Sequence, residues 1–419
     1  MTKSLVSIVK GADPEVMVQE AVDLIGGIKS VVKKGDMVLI KPNCHGPHPF
    51  EDHITTDPRL IAAVIKLCKK AGAKEILVGE APSLGGAMFS FEISGQKEAV
   101  EATGVAKLVD LENDEYVSMK IPNGLIMKSI DRPKTLADCD VLISMPTIKT
   151  HHGTKMTASL KLMMGSINRE GKDFLHRYGL EEGIVDINKA RKPDLVVADM
   201  IVTMGGTGPI AGRTVVEQPD GSRKIRETIG GILVPMDIVV VSKDPVAADA
   251  TCGRIVDIDP EGVNHIRWAF EQGLGNMKAD QIEIKGKRIE EVFHPIPPHP
   301  TDLSEFSEYI NFHTENACFG CLGYAYMALS NLSARGMLKY WPDLHVVIGP
   351  KDFISDEWGT GDNLVIIGNC NAKWAHLGQY APGCVPNRPW TILPVLGRLG
   401  STEEGNEVRR LMMETPITK

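Results

Sequence analysis

Apolar and polar positions follow two distinct patterns along the chain. Short β-branched runs such as "SLVSIV", "MVLIKPN" and "EILVGEA" have the length and composition of buried strands. Between them, apolar residues recur at helical spacing, so that Leu60, Val64, Leu67 and Cys68 share one face of "DPRLIAAVIKLCKKAGA". Strands that alternate with helices of about 10–15 residues are typical of parallel βαβ units. The pattern predicts an α/β fold with a mostly parallel sheet.

A proline-rich segment divides the chain. "FHPIPPHPTDL", residues 293–303, has the composition of a linker. We expect residues 1–292 to form a large α/β substrate-binding domain with the mostly parallel sheet. Residues 304–419 then form a smaller α/β domain, with a helix around "YAYMALSNLSARGML" and strands at "HVVIG" and "NLVIIGN".

Composition and charge exclude several classes of protein. The chain has 419 residues, of which 43% are hydrophobic and 24% charged, the balance of a globular protein rather than a disordered one. A net charge of −8 and a pI near 5.9 argue against nucleic-acid binding. We find neither a secretory signal nor an apolar run of the roughly 20 residues that span a bilayer. We therefore expect a cytoplasmic protein without a membrane or nucleic-acid partner; a homo-oligomer is compatible with this composition.

Polar clusters follow three of the predicted strands. Lys41, Asn43 and His45 lie in "IKPNCHGPH", and Glu80 ends the strand in "VGEAPS". The densest cluster, "SMPTIKTHHGTKMTASLKLMMGSI", carries lysine, threonine and histidine side chains at many positions. Ligands of open α/β sheets bind at such strand ends. These clusters are therefore the candidate site.

We expect the third cluster to bind an anion. The spacing of Thr157 and Lys161 predicts one face of a helix that begins near residue 154, and a helix N-terminus favours negative charge. The alternative is a solvated basic loop in front of a structural helix. The adjacent His151 and His152 also allow a metal site, although neighbouring residues on an extended segment point to opposite faces.

Each candidate side chain has an expected role in binding a small anionic substrate, a carboxylate or a phosphate. The His151 imidazole titrates near neutrality and is the best general acid or base, Lys149 neutralises substrate charge, and Glu80 orients a hydroxyl or a lysine. The expected catalytic residues are thus His151, Lys149 and Glu80, and the substrate-binding residues are Lys41, Asn43, Thr150, Thr157 and Lys161.

Two further segments have weaker signals. "TMGGTGPIAG", residues 203–212, is glycine-rich but lacks a P-loop or dinucleotide fingerprint, so we interpret it as a loop over the site. Asp244 precedes Pro245 and is expected to cap a helix. Asp249 falls inside that helix and requires a partner, so we expect a structural role for it as well.

Four of the eight cysteines lie in the last quarter of the chain, and these are the candidate metal ligands. Cys318 and Cys321 form a CxxC pair, whereas Cys370 and Cys384 stand singly in loops, with glycines beside them. The scattered Cys68, Cys139 and Cys252 are expected to be buried hydrophobes. Structural zinc usually takes its cysteines in two close pairs, so one pair and two single loops favour a 4Fe-4S cluster. Zinc, a thiol redox pair and plain structural cysteines are the alternatives.

The motif series resembles the domain-of-unknown-function 362 family. "IKPN", "VGEAP", "DVLISMPTIKTHHGTKMTASLKLMMG" and "SKDPVAADATCGRIVDIDP" are similar to its Lys-Pro-Asn, Gly-Glu, Pro-Lys-x-Lys-Thr-His and Lys-Asn-x-x-Gly segments. Thr147 replaces a family lysine, Leu162 replaces a family asparagine, and the repeated CxxCxxC tail of many relatives is missing. The resemblance implies an iron–sulfur-associated cytoplasmic protein. A distant similarity in architecture to nickel-dependent lactate racemase adds, by analogy, a carboxylate substrate.

These observations lead to one functional expectation with two alternatives. We expect an iron–sulfur oxidoreductase, or a lyase, that acts on a small anionic substrate. One alternative is a non-catalytic electron-transfer or assembly protein that docks on a redox partner protein. The other is an enzyme with a structural zinc.

Overall fold

The computed structural model describes residues 3–210, 212–218, 220–227, 229–340 and 343–386 of the chain. Its strands are β1 (Ser4–Lys10), β2 (Met37–Pro42), β3 (Glu75–Glu80), β4 (Lys107–Asp110), β5 (Tyr116–Lys120), β6 (Ser129–Pro133), β7 (Val141–Met145), β8 (Thr147–His151), β9 (Lys155–Thr157), β10 (Leu195–Gly205), β11 (Arg213–Glu217), β12 (Arg223–Glu227), β13 (Ile232–Ser242), β14 (Ile282–Gly286), β15 (Ile310–His313), β16 (Leu344–Ile348), β17 (Gly361–Ile367) and β18 (Gly378–Ala381).

Helices connect most of these strands. They are α1 (Pro14–Leu24), α2 (Pro58–Ala71), α3 (Ala87–Ile93), α4 (Gln96–Ala102), α5 (Lys134–Asp138), α6 (Ser159–Leu162), α7 (Arg169–Tyr178), α8 (Leu180–Ala190), α9 (Pro245–Ile255), α10 (Asn264–Glu271), α11 (Ile289–Val292) and α12 (Phe319–Ser333). In the part of the chain that the structure describes, none of them is long and apolar enough to cross a membrane.

The predicted α/β class with a mostly parallel sheet is confirmed. The large sheet has ten strands in the order β14-β1-β13-β10-β7-β2-β3-β4, and β8 pairs with β10 and β9. The pairs around β7, β2, β3 and β4 are parallel, as are β1 with β14 and β8 with β10. Only β13, which runs against β1 and β10, and the β8–β9 pair are antiparallel among the described strands of this sheet. The carboxyl ends of β2, β3 and β7 therefore meet at one edge.

Helix α2 illustrates how local sequence sets these elements. Asp57 caps its N-terminus by accepting the Arg59 N–H at 2.8 Å, Pro58 occupies the first turn, and Gly72 ends the helix in the left-handed conformation. Its predicted apolar face, Leu60 included, is buried against the sheet. The scattered Cys68, Cys139 and Cys252 are buried too, as expected.

The last quarter of the chain forms a second, smaller sheet. It has the order β15-β16-β17-β18, and all three pairs are parallel. Helix α12 begins directly at the CxxC pair, earlier than the expected helix around "YAYMALSNLSARGML", because Cys318 occupies the N-cap position. Both sheets therefore place loops at the carboxyl ends of parallel strands, where ligand sites form.

Residues 293–303 contain no helix or strand, and they pack against the large sheet. The carbonyl of Pro297 accepts the Gly206 N–H at 2.6 Å, and a Cβ at Gly205 would lie 2.6 Å from the Pro297 ring. One hydrophobic cluster runs from Val6 in β1 to Val385 beyond β18. The division into two domains at this segment remains a prediction, and residues 387–419 of the second lie outside the described part of the chain.

Candidate functional site

The predicted site residues of the large sheet all lie near one edge, and most of them are buried. Lys41 and Glu80 stand near or at the ends of the neighbouring strands β2 and β3, and Asn43 follows β2. Lys149, Thr150 and His151 lie in β8, which continues the chain after β7. Each of these six side chains is less than a tenth exposed. Sequence reasoning therefore located a common region, and the contacts inside it decide what each residue can do.

Lys41 and Glu80 form a buried ion pair. The Lys41 Nζ lies 2.7 Å from Glu80 Oε1, and the Lys41 side chain has no exposed area. Glu80 also accepts the backbone N–H groups of Ala81 at Oε1 and Cys44 at Oε2, both at 3.0 Å. Burial lowers the pKa of Lys41, while the Glu80 carboxylate opposes that shift. Because both groups are already paired, they orient each other and the nearby backbone; the expected role of Glu80 in catalysis stays a prediction.

The backbone carbonyl of Ile54 accepts hydrogen bonds from two further predicted residues, Asn43 and Lys149. Asn43 Nδ2 donates to it at 2.6 Å and to Thr147 Oγ1 at 2.8 Å, and the Lys149 Nζ also donates to the Ile54 oxygen. Burial lowers the pKa of Lys149 to about 7, an effect that Asp199 opposes and Lys161 reinforces. Lys149 is thus held in place at a pKa where its amine gains or loses a proton near neutrality.

The expected helix from residue 154 is wrong, and with it the anion site at that helix N-terminus. Residues 155–157 form strand β9, antiparallel to β8, so that Thr157 lies opposite Lys149. Helix α6 begins only at Ser159, and its first N–H groups, those of Ser159 and Leu160, donate to the Asp249 carboxylate at 2.8 and 2.9 Å. Pairing with β8 overrides the helical spacing of Thr157 and Lys161. A carboxylate of the protein itself occupies the helix end, and the structural role expected for Asp249 is confirmed.

Lys161 is a half-buried cation without a partner. No hydrogen bond or ion pair holds its ammonium among the described residues, and burial lowers its pKa to about 8. Its charge depresses the pKa values of His45, Lys149 and His151, so it lies within electrostatic reach of all three. Thr157 Oγ1 is likewise buried without a hydrogen-bond partner in the described part of the structure. A buried hydroxyl and a half-buried ammonium that lack partners are the features of a site completed by an anion. Lys149, His151, Thr157 and Lys161 together are called the lysine site below.

His151 is held as a hydrogen-bond donor. Its Nδ1 accepts the Gly153 N–H at 2.9 Å, so the proton of the neutral ring is on Nε2. Burial, together with Lys161 and neighbouring histidines, lowers the pKa of His151 well below its ordinary value. The next residue of the block in sequence, His152, stacks on it at a ring-centroid distance of 4.4 Å. The neutral His151 ring therefore offers an N–H from Nε2, and a role as general base requires Gly153 to release Nδ1.

Thr150 connects this block to the glycine-rich segment. Its Oγ1 donates to the Gly206 carbonyl at 2.9 Å, and a Cβ at Gly208 would lie 2.6 Å from the Thr150 carbonyl oxygen. Residues 203–205 belong to β10 rather than to a loop, because they pair with β13. Residues 206–208 of the glycine-rich segment thus lie directly against Thr150 in β8.

Sequence reasoning missed several residues of the region. Asp199 accepts the Asp57 N–H at 2.8 Å, and burial raises its pKa to about 7. Its position in the apolar run "DLVVADM" was an available signal, since a buried carboxylate requires partners. His48 and Lys172 carried no such signal: His48 reaches the Arg213 carbonyl across the fold at 2.7 Å, and Lys172 donates to the Ala81 carbonyl at 2.7 Å.

The four cysteines predicted as metal ligands converge from three segments. Cys318 and Cys321 open α12, Cys370 lies in the turn after β17, and Cys384 follows β18. A Cβ at Gly368 would stand 3.3 Å from Cys321 Sγ and 3.5 Å from Cys370 Sγ. Cys321 feels the charges of the other three thiols, which, after its hydrogen bond with Cys318 and its burial, help to raise its pKa well above the ordinary range.

The cysteines differ in environment. The hydrogen bond with Cys321 lowers the pKa of Cys318 to about 6, whereas burial raises that of Cys384 to about 11. Cys318, Cys370 and Cys384 are exposed and Cys321 is buried. Within the described ranges, no three histidine, cysteine, aspartate or glutamate side chains lie close enough to hold a single metal ion. The four thiols thus lie in one region, but no three of them surround a common point.

A pocket of about 170 Å³ adjoins two of these cysteines. Cys318 and Cys384 line it together with Lys155, whose Nζ lies 5.5 Å from the centre of the Phe319 ring and donates to the Gly262 carbonyl at 2.7 Å. The carbonyl of Cys384 accepts the Leu180 N–H at 3.0 Å, and this hydrogen bond holds the loop of Cys384 against the start of α8.

Comparison with known proteins places this α/β protein in a family. The model of the domain of unknown function DUF362 matches residues 38–254, about half of the chain. The chain belongs to this family. The match includes every candidate residue from Lys41 to Lys161 and ends before the cysteine quartet.

A curated relative and two solved structures are similar to the chain. The thylakoid-associated protein sll1697 of Synechocystis sp. (strain ATCC 27184 / PCC 6803 / Kazusa) is 31% identical over 290 residues, which cover 65% of this chain and 82% of the relative. The lactate racemase apoprotein of Thermoanaerobacterium thermosaccharolyticum is 15% identical with a TM-score of 0.34, over 61% of this chain and 58% of that one. A structural-genomics protein from Thermotoga maritima is 10% identical with a TM-score of 0.32, over 81% and 71%.

Proposed function

We propose that the protein is an iron–sulfur enzyme of the oxidoreductase class that acts on a small anionic substrate, a carboxylate or a phosphate. The observation that carries this proposal is the convergence of four thiols from three segments at the carboxyl ends of parallel strands. Cys318, Cys321, Cys370 and Cys384 would hold a 4Fe-4S cluster. When bound, such a cluster supplies one-electron transfer.

The arrangement of the cysteines along the chain favours a cluster over zinc. Structural zinc usually takes its cysteines in two close pairs, whereas this chain offers one pair and two single cysteines. A four-iron cube is larger than one ion, so its cysteines stand farther apart. Gly368 sits against Cys321 and Cys370 without a side chain, which leaves backbone beside the sulfurs, as clusters require.

The lysine site supports the anionic substrate. The Lys161 ammonium would bind the anion, because it is half-buried and unpaired among the described residues. Thr157 Oγ1 and the His151 Nε2–H would each donate a hydrogen bond to it. Lys149, with its pKa lowered to about 7, would hold or release a proton at Nζ beside the substrate. Lys41 and Glu80 would keep the backbone around Cys44 and Ala81 in place.

A second candidate function rests on the exposure of the cysteine site. Cys318, Cys370 and Cys384 are exposed, so a redox partner protein could approach a cluster there. In that case the protein transfers electrons to a larger enzyme without catalysis of its own. The association of the cyanobacterial relative with thylakoids is compatible with a membrane-bound partner of this kind. The cytoplasmic location and a homo-oligomeric state remain predictions.

Anaerobic reconstitution tests the proposal. The full chain is incubated with iron and sulfide, and bound iron, bound sulfide and visible absorbance are measured for the wild type and for Cys370→Ser. We expect four irons per chain in the wild type and a large loss in the variant. Cys139→Ser, which changes a buried cysteine outside the quartet, should retain the wild-type iron content. Equal iron content in all three proteins, or none in the wild type, would contradict the proposal.

A further inference from the structure

The helix that begins with the CxxC pair packs directly on the turn of the Lys-Thr-His block. A Cβ at Gly323 would lie 2.2 Å from the His152 carbonyl oxygen, and one at Gly320 would lie 2.9 Å from that of Gly153. From the other side, a Cβ at Gly153 would lie 2.7 Å from the Tyr324 ring. Gly320 and Gly323 therefore allow the backbone of α12 to touch the backbone of residues 152 and 153, and Gly153 allows the Tyr324 ring to approach the turn.

A row of aromatic rings crosses the same interface. His151 stacks on His152 at 4.4 Å between ring centroids, and the edge of His152 meets Tyr324 at 4.3 Å with an interplanar angle of 79°. Tyr324 lies in α12, three residues beyond Cys321. Ring contacts thus lead from His151 to Tyr324, in the second turn of α12.

His152 is the element of this row whose environment is incomplete. It is 8% exposed, and its Nδ1 is buried without a hydrogen-bond partner in the described part of the structure. His299, whose ring centroid lies 6.1 Å away, has an equally unpartnered Nε2. A buried polar atom without a partner carries a cost that a small shift of the ring can relieve. We therefore expect the His152 ring and the turn of residues 151–153 to shift when either neighbouring site changes.

We propose that residues 151–153 and Tyr324 couple the two sites. Loading of the cysteine site then changes the affinity of the lysine site for anions, and anion binding in turn changes the cysteine site. The inference rests on the proposed function, because it requires both sites to bind their ligands. Reciprocity follows from linkage: whatever free energy one ligand contributes to the binding of the other acts equally in both directions. Tyr324 and His152 are positioning residues here and touch no reacting atom.

Hydrogen exchange of the wild-type protein tests the coupling without a known substrate. Peptides that cover residues 147–157 are compared by mass spectrometry between the cluster-free and the reconstituted full chain, under anaerobic conditions. We expect slower hydrogen exchange in this segment after reconstitution, and also in α12, which begins at the CxxC pair. Unchanged exchange in 147–157, in a sample that has bound its full iron, would overturn the inference and leave the cluster proposal intact.

Anion titration supplies the second test. Inorganic phosphate and acetate are the probes, and their Kd values are measured with cluster-free and reconstituted protein. We expect a difference of about fivefold or more for the probe that binds. Equal affinities would overturn the coupling. A third outcome is that neither probe binds either form while the exchange in 147–157 responds to the cluster. This outcome would support the link from the cysteine site to residues 151–153 and contradict the anion binding of the proposed function.

A pair of variants locates the link. Tyr324→Leu removes the ring that meets His152. Tyr326→Leu changes a tyrosine two positions along the same helix whose ring contacts Phe306 and His299. We expect Tyr324→Leu to retain its iron and to lose the response of residues 147–157, and Tyr326→Leu to retain both. A wild-type response in Tyr324→Leu would overturn the role of this tyrosine. If Tyr324→Leu fails to fold, the wild-type comparison still decides the coupling.

Discussion

Gly165 lies directly against the carboxylate of Glu80. A Cβ at this position would stand 1.9 Å from Glu80 Oε1 and 2.6 Å from the Lys41 Nζ. The Gly165 carbonyl also accepts the Ala81 N–H at 2.9 Å, next to the end of β3. The segment after α6 thus closes over the buried ion pair only because residue 165 has no side chain.

Gly165→Ala should therefore destabilise the protein. The new methyl group has to displace a buried carboxylate or a buried ammonium, and a disturbed buried pair is costly, so we expect a loss of about 3 kcal/mol or more. Chemical unfolding of the full chain measures it. Gly86→Ala is the matched control, because a Cβ there meets nothing within 4 Å, and it should change stability by less than about 1 kcal/mol. Equal effects of the two substitutions would contradict the geometry.

Lys161→Met should remove anion binding. The change keeps the length of the side chain and deletes the unpaired ammonium, and a charged hydrogen bond contributes about 1.5–3 kcal/mol, so affinity should fall about tenfold or more. Titration with phosphate and acetate gives the comparison. Lys66→Met, at an exposed lysine paired with Glu15, should bind like the wild type. Wild-type affinity in Lys161→Met would remove Lys161 from the site.

The same variant has a characteristic pH dependence. Burial lowers the pKa of Lys161 from its ordinary 10.5 to about 8. Between these values the unfolded chain binds more protons than the folded one at this residue, so the residue's contribution to stability rises with pH from about 8 to 10.5. The wild type should gain on the order of 2 kcal/mol relative to Lys161→Met across this window. Unfolding curves at pH 8 and pH 10 test it, and parallel pH profiles would show that the ammonium is hydrated.

Asp249 should tolerate asparagine better than alanine. The carboxylate accepts the N–H groups of Ser159 and Leu160; asparagine retains one acceptor oxygen, whereas alanine leaves both donors buried and unpaired. We expect losses of about 1 kcal/mol for Asp249→Asn and about 3 kcal/mol for Asp249→Ala. Because burial raises the pKa of Asp249 to about 7, its contribution to stability falls as pH rises from about 4 to 7. Asp249→Asn should lack that fall in unfolding measurements, and its persistence would assign it to another group.

Gly368→Ala should impair cluster loading. The added Cβ would press on Cys321 Sγ and touch Cys370 Sγ, from a residue whose φ is +92°. Gly336→Ala provides the control, because Gly336 has a similarly left-handed φ of +64° but open space around it. Both variants carry the backbone strain, and only Gly368→Ala should lose a large part of the iron after reconstitution. Equal iron contents would show that Gly368 leaves the cysteine site unaffected.

The fold was accessible from the sequence because its signals are local. Helix α2 carries its cap at Asp57, its stop at Gly72 and its apolar stripe within one continuous stretch. The β8–β9 hairpin was not accessible in this way. Thr157 and Lys161 have helical spacing, and only the pairing of β9 with β8 decides against a helix there.

The candidate site was predictable in its location and not in its contacts. Strand ends indicated Lys41, Glu80 and the Lys-Thr-His block, which lie at one edge of the sheet. The carboxylate at the start of α6 comes from Asp249, about 90 positions farther along the chain. No local pattern encodes such a contact, and the pairing of Lys41 with Glu80 across 39 positions is of the same kind.

Native mass spectrometry of the anaerobically reconstituted full chain tests the central claim most directly, because the added mass identifies what the quartet holds. We predict one species whose mass exceeds that of the polypeptide by a single four-iron, four-sulfide cluster, and the loss of that added mass in Cys370→Ser but not in Cys139→Ser. An added mass of one zinc ion, or a bare polypeptide after reconstitution, would contradict the account.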